Sequence, residues 1–408
     1  MCSDIQKKQK KLYSQTAIYL AMILLGIFSG LSGISFLENL GIIISDIFIK
    51  IFKCISLPII TLSIIVAVSS IASEKATRKI WQRTLFYTIS TTIIAATLSA
   101  IFYLIIKPSN FNSEIQNAAS PINNQSGYLQ HLVNQVPDNI LSPFLQHQVI
   151  GVLIIGLVLG IAIRYIPSDE PRKLMINFFQ GIHGIFLVIT KWVVAIIPIA
   201  LYGFITTTTL QLSKGFNIEG IGQYLTVIIL ANLVQGLVIL PGWLKFEGIN
   251  PLKSARGMSR ALSIAFFSKS SAGTLPVTIE CAEKNLNIDH KISRFVLPLC
   301  TTINMNGCAA FIFATVIYLM QNNGTEITLA TMGLWIIIAT IAAIGNAGVP
   351  MGCFFLSASL LVSMNIPIAL MGIILPFYTV IDMIETTLNV WSDSCVANVV
   401  NKKNKSES

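Results

Sequence analysis

The stretch from Val380 to Val400, VIDMIETTLNVWSDSCVANVV, limits what this chain can fold into more than any other. It is apolar enough to enter a membrane, yet it holds Asp382, Glu385, Thr386, Asn389 and Asp393. At about 100° per residue these five positions fall close to one line along a helix. Ionised groups in lipid are costly, so that face must look onto protein, water or an ion rather than merely glue helices together.

The rest of the composition agrees. The chain has 408 residues, 54% hydrophobic and 11% charged, where a soluble domain has about 25% charged. This describes an integral membrane protein. The net charge of +9 does not point to nucleic acid, because the basic residues sit in short clusters between apolar runs, where they act as topology signals. The cysteines, Cys2, Cys54, Cys281, Cys300, Cys308, Cys353 and Cys395, form no CxxC pair. They read as small buried hydrophobes, with neither a disulfide framework nor a zinc site expected. The histidines show no metal-ligand spacing. Lysines precede the first apolar run without a small-residue cleavage site, so a retained first helix is expected.

Hydropathy predicts helices over 17–36, 42–71 (with Pro58), 84–106, 149–165, 178–207 (with Pro198) and 224–244. Between the third and fourth lies a polar loop, 108–148. Basic residues cluster before the first helix (Lys7, Lys8, Lys10, Lys11) and in every second loop: Lys75 to Arg83, Arg164 to Lys173, and Lys245 to Arg260. By the positive-inside rule these six crossings begin and end in the cytoplasm.

The last third breaks this rhythm. SKSSAGTLP splits the run 261–288, Asn304-Met305-Asn306-Gly307 interrupts 295–320, and GNAGVPMG splits 329–362. Lys402, Lys403 and Lys405 close the chain on the cytoplasmic side only if 254–288 and 329–362 each enter and leave on the same side. The expected fold is therefore an all-α integral membrane protein of eight transmembrane helices and two re-entrant helical hairpins. Ala272-Gly273 before Pro276 and Ala347-Gly348 before Pro350 make the hairpin tips alike, which points to an inverted repeat with its binding site at the midplane.

Asp382, Glu385 and Asp393 face a single embedded base, Lys269. A low-dielectric centre short of positive charge binds cations or takes up protons. Asp393, Asn389 and the broken segment at Asn304 offer the oxygen ligands that Na+ prefers. Ser270, Ser271 and Thr274, with the free N–H groups of the tip, suit a carboxylate. Asp382 suits an ammonium. A zwitterionic amino acid fits this set. No triad, metal motif or phosphate loop supports an enzyme, and an acidic-ring ion channel is the other reading.

SKSSAGTLPVT, TINMNG, AAIGNAGVP and DMIETTLNVWSD occur in this order, FIKIFKCISLP lies in the second helix, and over about 13–400 the chain resembles the dicarboxylate/amino acid:cation symporter family, the glutamate-transporter family. The resemblance implies a trimer with a scaffold and a moving core: a cytoplasmic tail 1–16, scaffold 17–253, transport core 254–401 and a cytoplasmic tail 402–408. It implies that Ser271 and Asn389 hold the substrate carboxylate, flanked by the tip residues Ser270 and Gly348, and that Asp382 with Thr386 holds the amino group. Asp393, Asn389 and Asn304 would form one sodium site. Thr302, Met305 and the backbone from Ala343 to Asn346 would form a second, and Tyr87, Ser90, Thr91 and Asn304 a third.

Three departures set the substrate and ion expectations. Acidic-substrate members have arginine where Glu385 stands, and the family's side-chain threonine is Cys308 here. The serine/threonine branch shares the Glu385-Thr386 pair. Asn306 replaces an aspartate of the third sodium site, so fewer sodium ions or coupling to H+ is implied. The expectation is a Na+- or H+-coupled symporter of a small neutral amino acid such as serine or threonine in the cell (inner) membrane. Glutamate, aspartate or a C4-dicarboxylate is the alternative, with Lys269 serving in place of the arginine.

Overall fold

In the computed structural model the described residues are 18, 21–69, 75–110, 137–146, 149–212, 219–346, 348, 351–364, 366 and 369–405, and they form helices with no strand among them. The helices are α1 Ala21–Leu31, α2 Ser35–Ser69, α3 Lys75–Ile106, α4 Val149–Arg164, α5 Asp169–Ala195, α6 Ile197–Leu212 and α7 Glu219–Val234. A π-helical turn, Gln235–Ile239, leads into α8 Leu240–Phe246. Then come α9 Pro251–Ser268, α10 Ser271–Leu286, α11 His290–Ile303, α12 Asn306–Asn322, α13 Leu329–Ile344, α14 Gly352–Ser363 and α15 Ala369–Lys405. Among the described residues of the polar loop there is one short helical turn, Ser142–Leu145.

Four described segments are long and apolar enough to cross a membrane: Lys79–Ile106, Asp169–Thr190, Gly220–Phe246 and His290–Asn322. Large apolar side chains such as Leu24, Phe28, Leu31, Phe36, Phe86 and Trp192 point outward. In water that surface would aggregate; against acyl chains it is matched, and every helical backbone bond is made internally.

α12 is the centre. Every residue from Asn306 to Met320 is buried, and α3, α7, α13, α14 and α15 all pack on it. The last third folds as paired helices. α9 starts where the Asn250 side chain accepts from the Lys253 N–H at 3.0 Å, with Pro251 at the first helical position. It ends at Lys269, whose φ of +54° turns the chain back. Ser270 then caps α10 by accepting from Gly273 N–H at 3.0 Å. α9 and α10 pack side by side as a hairpin. Asp289 and Thr328 cap α11 and α13 in the same way, accepting at 2.7 and 3.1 Å.

The expected breaks at 269–270 and 304–305, and between α13 and α14, are all present. Ala347, Val349 and Pro350, half of the proposed likeness between the hairpin tips, lie outside the described residues. So do Lys7, Lys8, Lys10, Lys11 and the tail 1–16.

Several boundaries differ from the hydropathy reading. The chain turns after Leu31, with Gly33 at φ +67°, so the first helix is shorter than 17–36 and the second starts at Ser35 instead of 42. The basic segment after it opens α3 instead of linking helices, because a helix continues past the apolar core into the polar interface. The expected crossing 178–207 is two helices: α5 begins at Asp169, with acidic residues in its first turn, and ends before Pro198, which cannot donate to the preceding turn. The π turn precedes Pro241 for a similar reason, absorbing a backbone mismatch.

The cysteine expectation also needs correction. Cys308 and Cys353 are joined by a disulfide, with 5.4 Å between their Cα atoms. They are 45 residues apart in sequence, so only the packing of α14 on α12 brings them together. Cys281, Cys300 and Cys395 are free and buried, and Cys54 is free and exposed.

Candidate functional site

The site forms where the break between α11 and α12 meets the acidic face of α15. Asp382, Glu385, Thr386, Asn389 and Asp393 are all buried there. α12 begins without a side-chain cap of its own. The Asn389 Oδ1 supplies one from α15, accepting from the Gly307 N–H at 2.8 Å. The fit is tight: a Cβ on Gly307 would meet the Glu385 Cα at 2.7 Å.

One side of the centre is a ring of oxygens and amides. Asn304 Nδ2 donates to Asp393 Oδ1 and to Ser392 Oγ, both at 2.9 Å. The Thr301 hydroxyl, which donates to Leu297 O at 2.8 Å, stands beside Asp393. Thr91 Oγ1 donates to Asn304 Oδ1 at 3.1 Å. Asn306 Nδ2 donates to Asn304 Oδ1 at 2.9 Å and Ser392 Oγ at 3.0 Å, with Thr91 Oγ1 at 3.4 Å. Gln235 Nε2 in turn donates to Asn306 Oδ1 at 2.7 Å.

On the other side lie the hairpins. Ser270 Oγ donates to the Gly348 carbonyl at 3.3 Å, and the Ala272 N–H reaches the same oxygen at 3.5 Å. Gly348 has φ +63°, and a Cβ there would sit 2.7 Å from the Thr301 carbonyl; only glycine suits both conditions. Asp382 accepts from the Met351 N–H at 3.2 Å and from the Thr386 hydroxyl, and Lys269 is near enough for its charge to act on it. Glu385 accepts from the Tyr378 hydroxyl at 3.2 Å. Asn346 Nδ2 points at the sulfurs of Cys308 (2.9 Å), Cys353 (3.4 Å) and Met305 (3.8 Å).

Thus Ser270, Ser271, Cys308, Gly348, Asp382, Glu385, Thr386, Asn389, Asn304, Met305, Asn306, Thr91 and Asp393 converge. Two expected residues turn elsewhere. Thr302 Oγ1 donates to Leu299 O of its own helix at 2.8 Å, and the Tyr87 ring packs on Trp243, 5.3 Å between centroids. Ser90 is half-buried one position before Thr91. Sequence reasoning missed Gln235, Ser392, Tyr378, Thr301, the Asn346 side chain and Cys353. Only Gln235 carried a signal, as an amide within an apolar run.

Four buried oxygens in this centre have no hydrogen-bond donor among the described residues: Gln235 Oε1, Asn346 Oδ1, Glu385 Oε1 and Asp393 Oδ2. Buried acceptors are normally satisfied, and each lone one calls for a partner. Acceptors of this kind are met by a cation, by a proton on the carboxylates or by donors that a ligand carries.

Comparison with known proteins agrees with this chemistry. The family model described as sodium:dicarboxylate symporter family matches residues 15–403; that family is made up of transporters, not enzymes. A protein of Caenorhabditis elegans described as a sodium-dependent excitatory amino acid transporter is 26% identical over 88% of this chain and 81% of its own length. Excitatory amino acid transporter 3 of Mus musculus is 26% identical, over 89% and 79%. Neutral amino acid transporter A of Homo sapiens is 27% identical over 63% of this chain and 48% of that protein.

Proposed function

Because the chain belongs to the sodium:dicarboxylate symporter family, we propose that it couples entry of Na+ to uptake of a small neutral amino acid such as serine or threonine. The four partnerless buried oxygens carry this reading. Asp393 Oδ2 supplies a sodium ligand beside Asn304 and Asn389. Glu385 Oε1 and Asn346 Oδ1 accept from the hydroxyl or ammonium of the substrate. Ser271 with the hairpin N–H groups receives the carboxylate, and Asp382 with Thr386 the ammonium. Relatives named as neutral amino acid transporters support the substrate class.

Glu385 is what sets side-chain preference, since a buried carboxylate repels an acidic side chain and leaves it unpaired. An acidic substrate is the second reading, favoured by two observations: Lys269 acts on the Asp382 charge from the first hairpin, and relatives named as excitatory amino acid transporters match across most of the chain.

Mechanically, residues 17–253 form the scaffold and 254–401 the moving core, with eight spans, two re-entrant hairpins and the second hairpin as outer gate. The working unit is a homotrimer in the cell (inner) membrane, with both termini cytoplasmic. Uptake of serine, threonine, alanine, aspartate, glutamate and a dicarboxylate into proteoliposomes tests the substrate class. Serine or threonine should accumulate best. Accumulation of aspartate or glutamate instead overturns the neutral-substrate reading.

A further inference from the structure

Three chemically distinctive side chains meet between α12, α14 and α15. Cys308 lies in the first turn of α12, Cys353 in the first turn of α14 and Glu385 on α15. Their two sulfurs and a carboxylate oxygen all lie within 4.8 Å of one another, and all three residues are buried. Two of the partnerless oxygens belong here: Glu385 Oε1, and Asn346 Oδ1 of the side chain whose Nδ2 reaches both sulfurs. As a disulfide the pair offers Glu385 only neutral sulfur. Exchange with a thiol reductant frees it: the Cys308–Cys353 bond breaks, two reductant thiols become one reductant disulfide, and each cysteine gains a proton.

We infer that the dithiol form of Cys308 and Cys353, with Glu385, is a binding site for a thiophilic divalent cation of the zinc class. Two thiolates and a carboxylate are a ligand set that such an ion takes in preference to Na+ or Mg2+. On binding, the ion displaces the two thiol protons. Metal–sulfur bonds of about 2.3 Å at tetrahedral angles hold the sulfurs about 3.8 Å apart, so the two side chains, joined as a disulfide here, move apart on reduction to admit the ion. Asn346 Oδ1 or water completes the set. The consequence for transport follows from which elements are tied. The ion fixes the returning arm of the second hairpin to the broken helix and to α15, so the metal-loaded core cannot exchange substrate. That last step rests on the symport reading above; metal binding does not.

The test uses the full chain, purified with a phosphine reductant and freed of metal by a chelator. Titration with Co2+ should give one equivalent per chain, with thiolate-to-metal charge-transfer absorption that Zn2+ displaces. Cys353→Ala should lose at least half of that absorption and weaken binding by at least about tenfold, as loss of part of a metal's coordination shell does. A second measurement separates a lost ligand from a folding defect: peptide-mapped alkylation of the wild type. Zn2+ should slow labelling of Cys308 and Cys353 at least about tenfold while exposed Cys54 labels unchanged. The inference is overturned by charge-transfer absorption of undiminished intensity in Cys353→Ala, by sulfurs that resist reduction in the folded protein, or by labelling indifferent to Zn2+. It is equally overturned by a cobalt spectrum showing nitrogen and oxygen ligands alone, as the surface pair His290–Glu283 (2.8 Å) provides. Binding is read without transport, and uptake in chelator without metal, so either reading fails separately.

Discussion

Asn306 Nδ2 donates to Asn304 Oδ1 across 2.9 Å. The same nitrogen faces Ser392 Oγ at 3.0 Å and Thr91 Oγ1 at 3.4 Å. An amide NH2 group, its hydrogens partly positive, thus occupies the point where three oxygens converge. Gln235 fixes the arrangement by donating to Asn306 Oδ1 at 2.7 Å.

Asn306→Asp turns that donor into a charged acceptor. The converging oxygens then need a cation, and the variant should carry about one more Na+ per substrate than the wild type. The charge moved per substrate, from the reversal potential in proteoliposomes, measures this. An unchanged value would mean that Asn306 does not fill a cation position.

Asp393→Asn removes the charge next to Asn304 but keeps the shape. We expect sodium-driven uptake to fall by at least about tenfold, the loss of roughly 1.4 kcal/mol or more of coupling free energy. Uptake with the sodium dependence of the wild type would remove Asp393 from the ion site.

Glu385→Arg replaces the buried carboxylate with a cation, the charge that the family resemblance implies for acidic-substrate members. The ratio of aspartate to serine uptake should rise at least about tenfold. A folded variant, monodisperse on size exclusion, that still ignores aspartate would show that Glu385 is not the side-chain selector.

Gly307→Ala tests the packing rather than the chemistry. The added Cβ meets Glu385 Cα at 2.7 Å and its carbonyl at 3.0 Å, so α12 and α15 must part. A cost of about 1–3 kcal/mol is typical for such overpacking, and a lowered melting temperature in detergent should report it. Wild-type stability would mean that the two helices are less closely held than this contact requires.

Much of this site was legible because its residues offend the membrane. Asp382, Glu385, Asn389 and Asp393 sit at helical spacing in an apolar run, and the breaks at Lys269-Ser270 and Asn304-Met305 carry Ser, Gly and Asn where a spanning helix would not. What stayed hidden depends on packing between distant segments. Cys353 and Cys308 meet only because α14 folds onto α12. Ser392 gains its role from its neighbours on α11 and α12. The helix ends were misplaced at Ser35, Lys75 and Asp169 because hydropathy registers the lipid-facing stretch, and a helix continues into the polar interface without an apolar signal.

The central claim is that the oxygen-rich centre binds Na+ and that its gradient drives uptake. The direct measurement is accumulation of radiolabelled serine in proteoliposomes at zero membrane potential, with Na+ outside only, then at equal Na+ on both sides. The account predicts accumulation above the external concentration in the first case and simple equilibration in the second. Equilibration in both, or ion conductance without substrate, would contradict it.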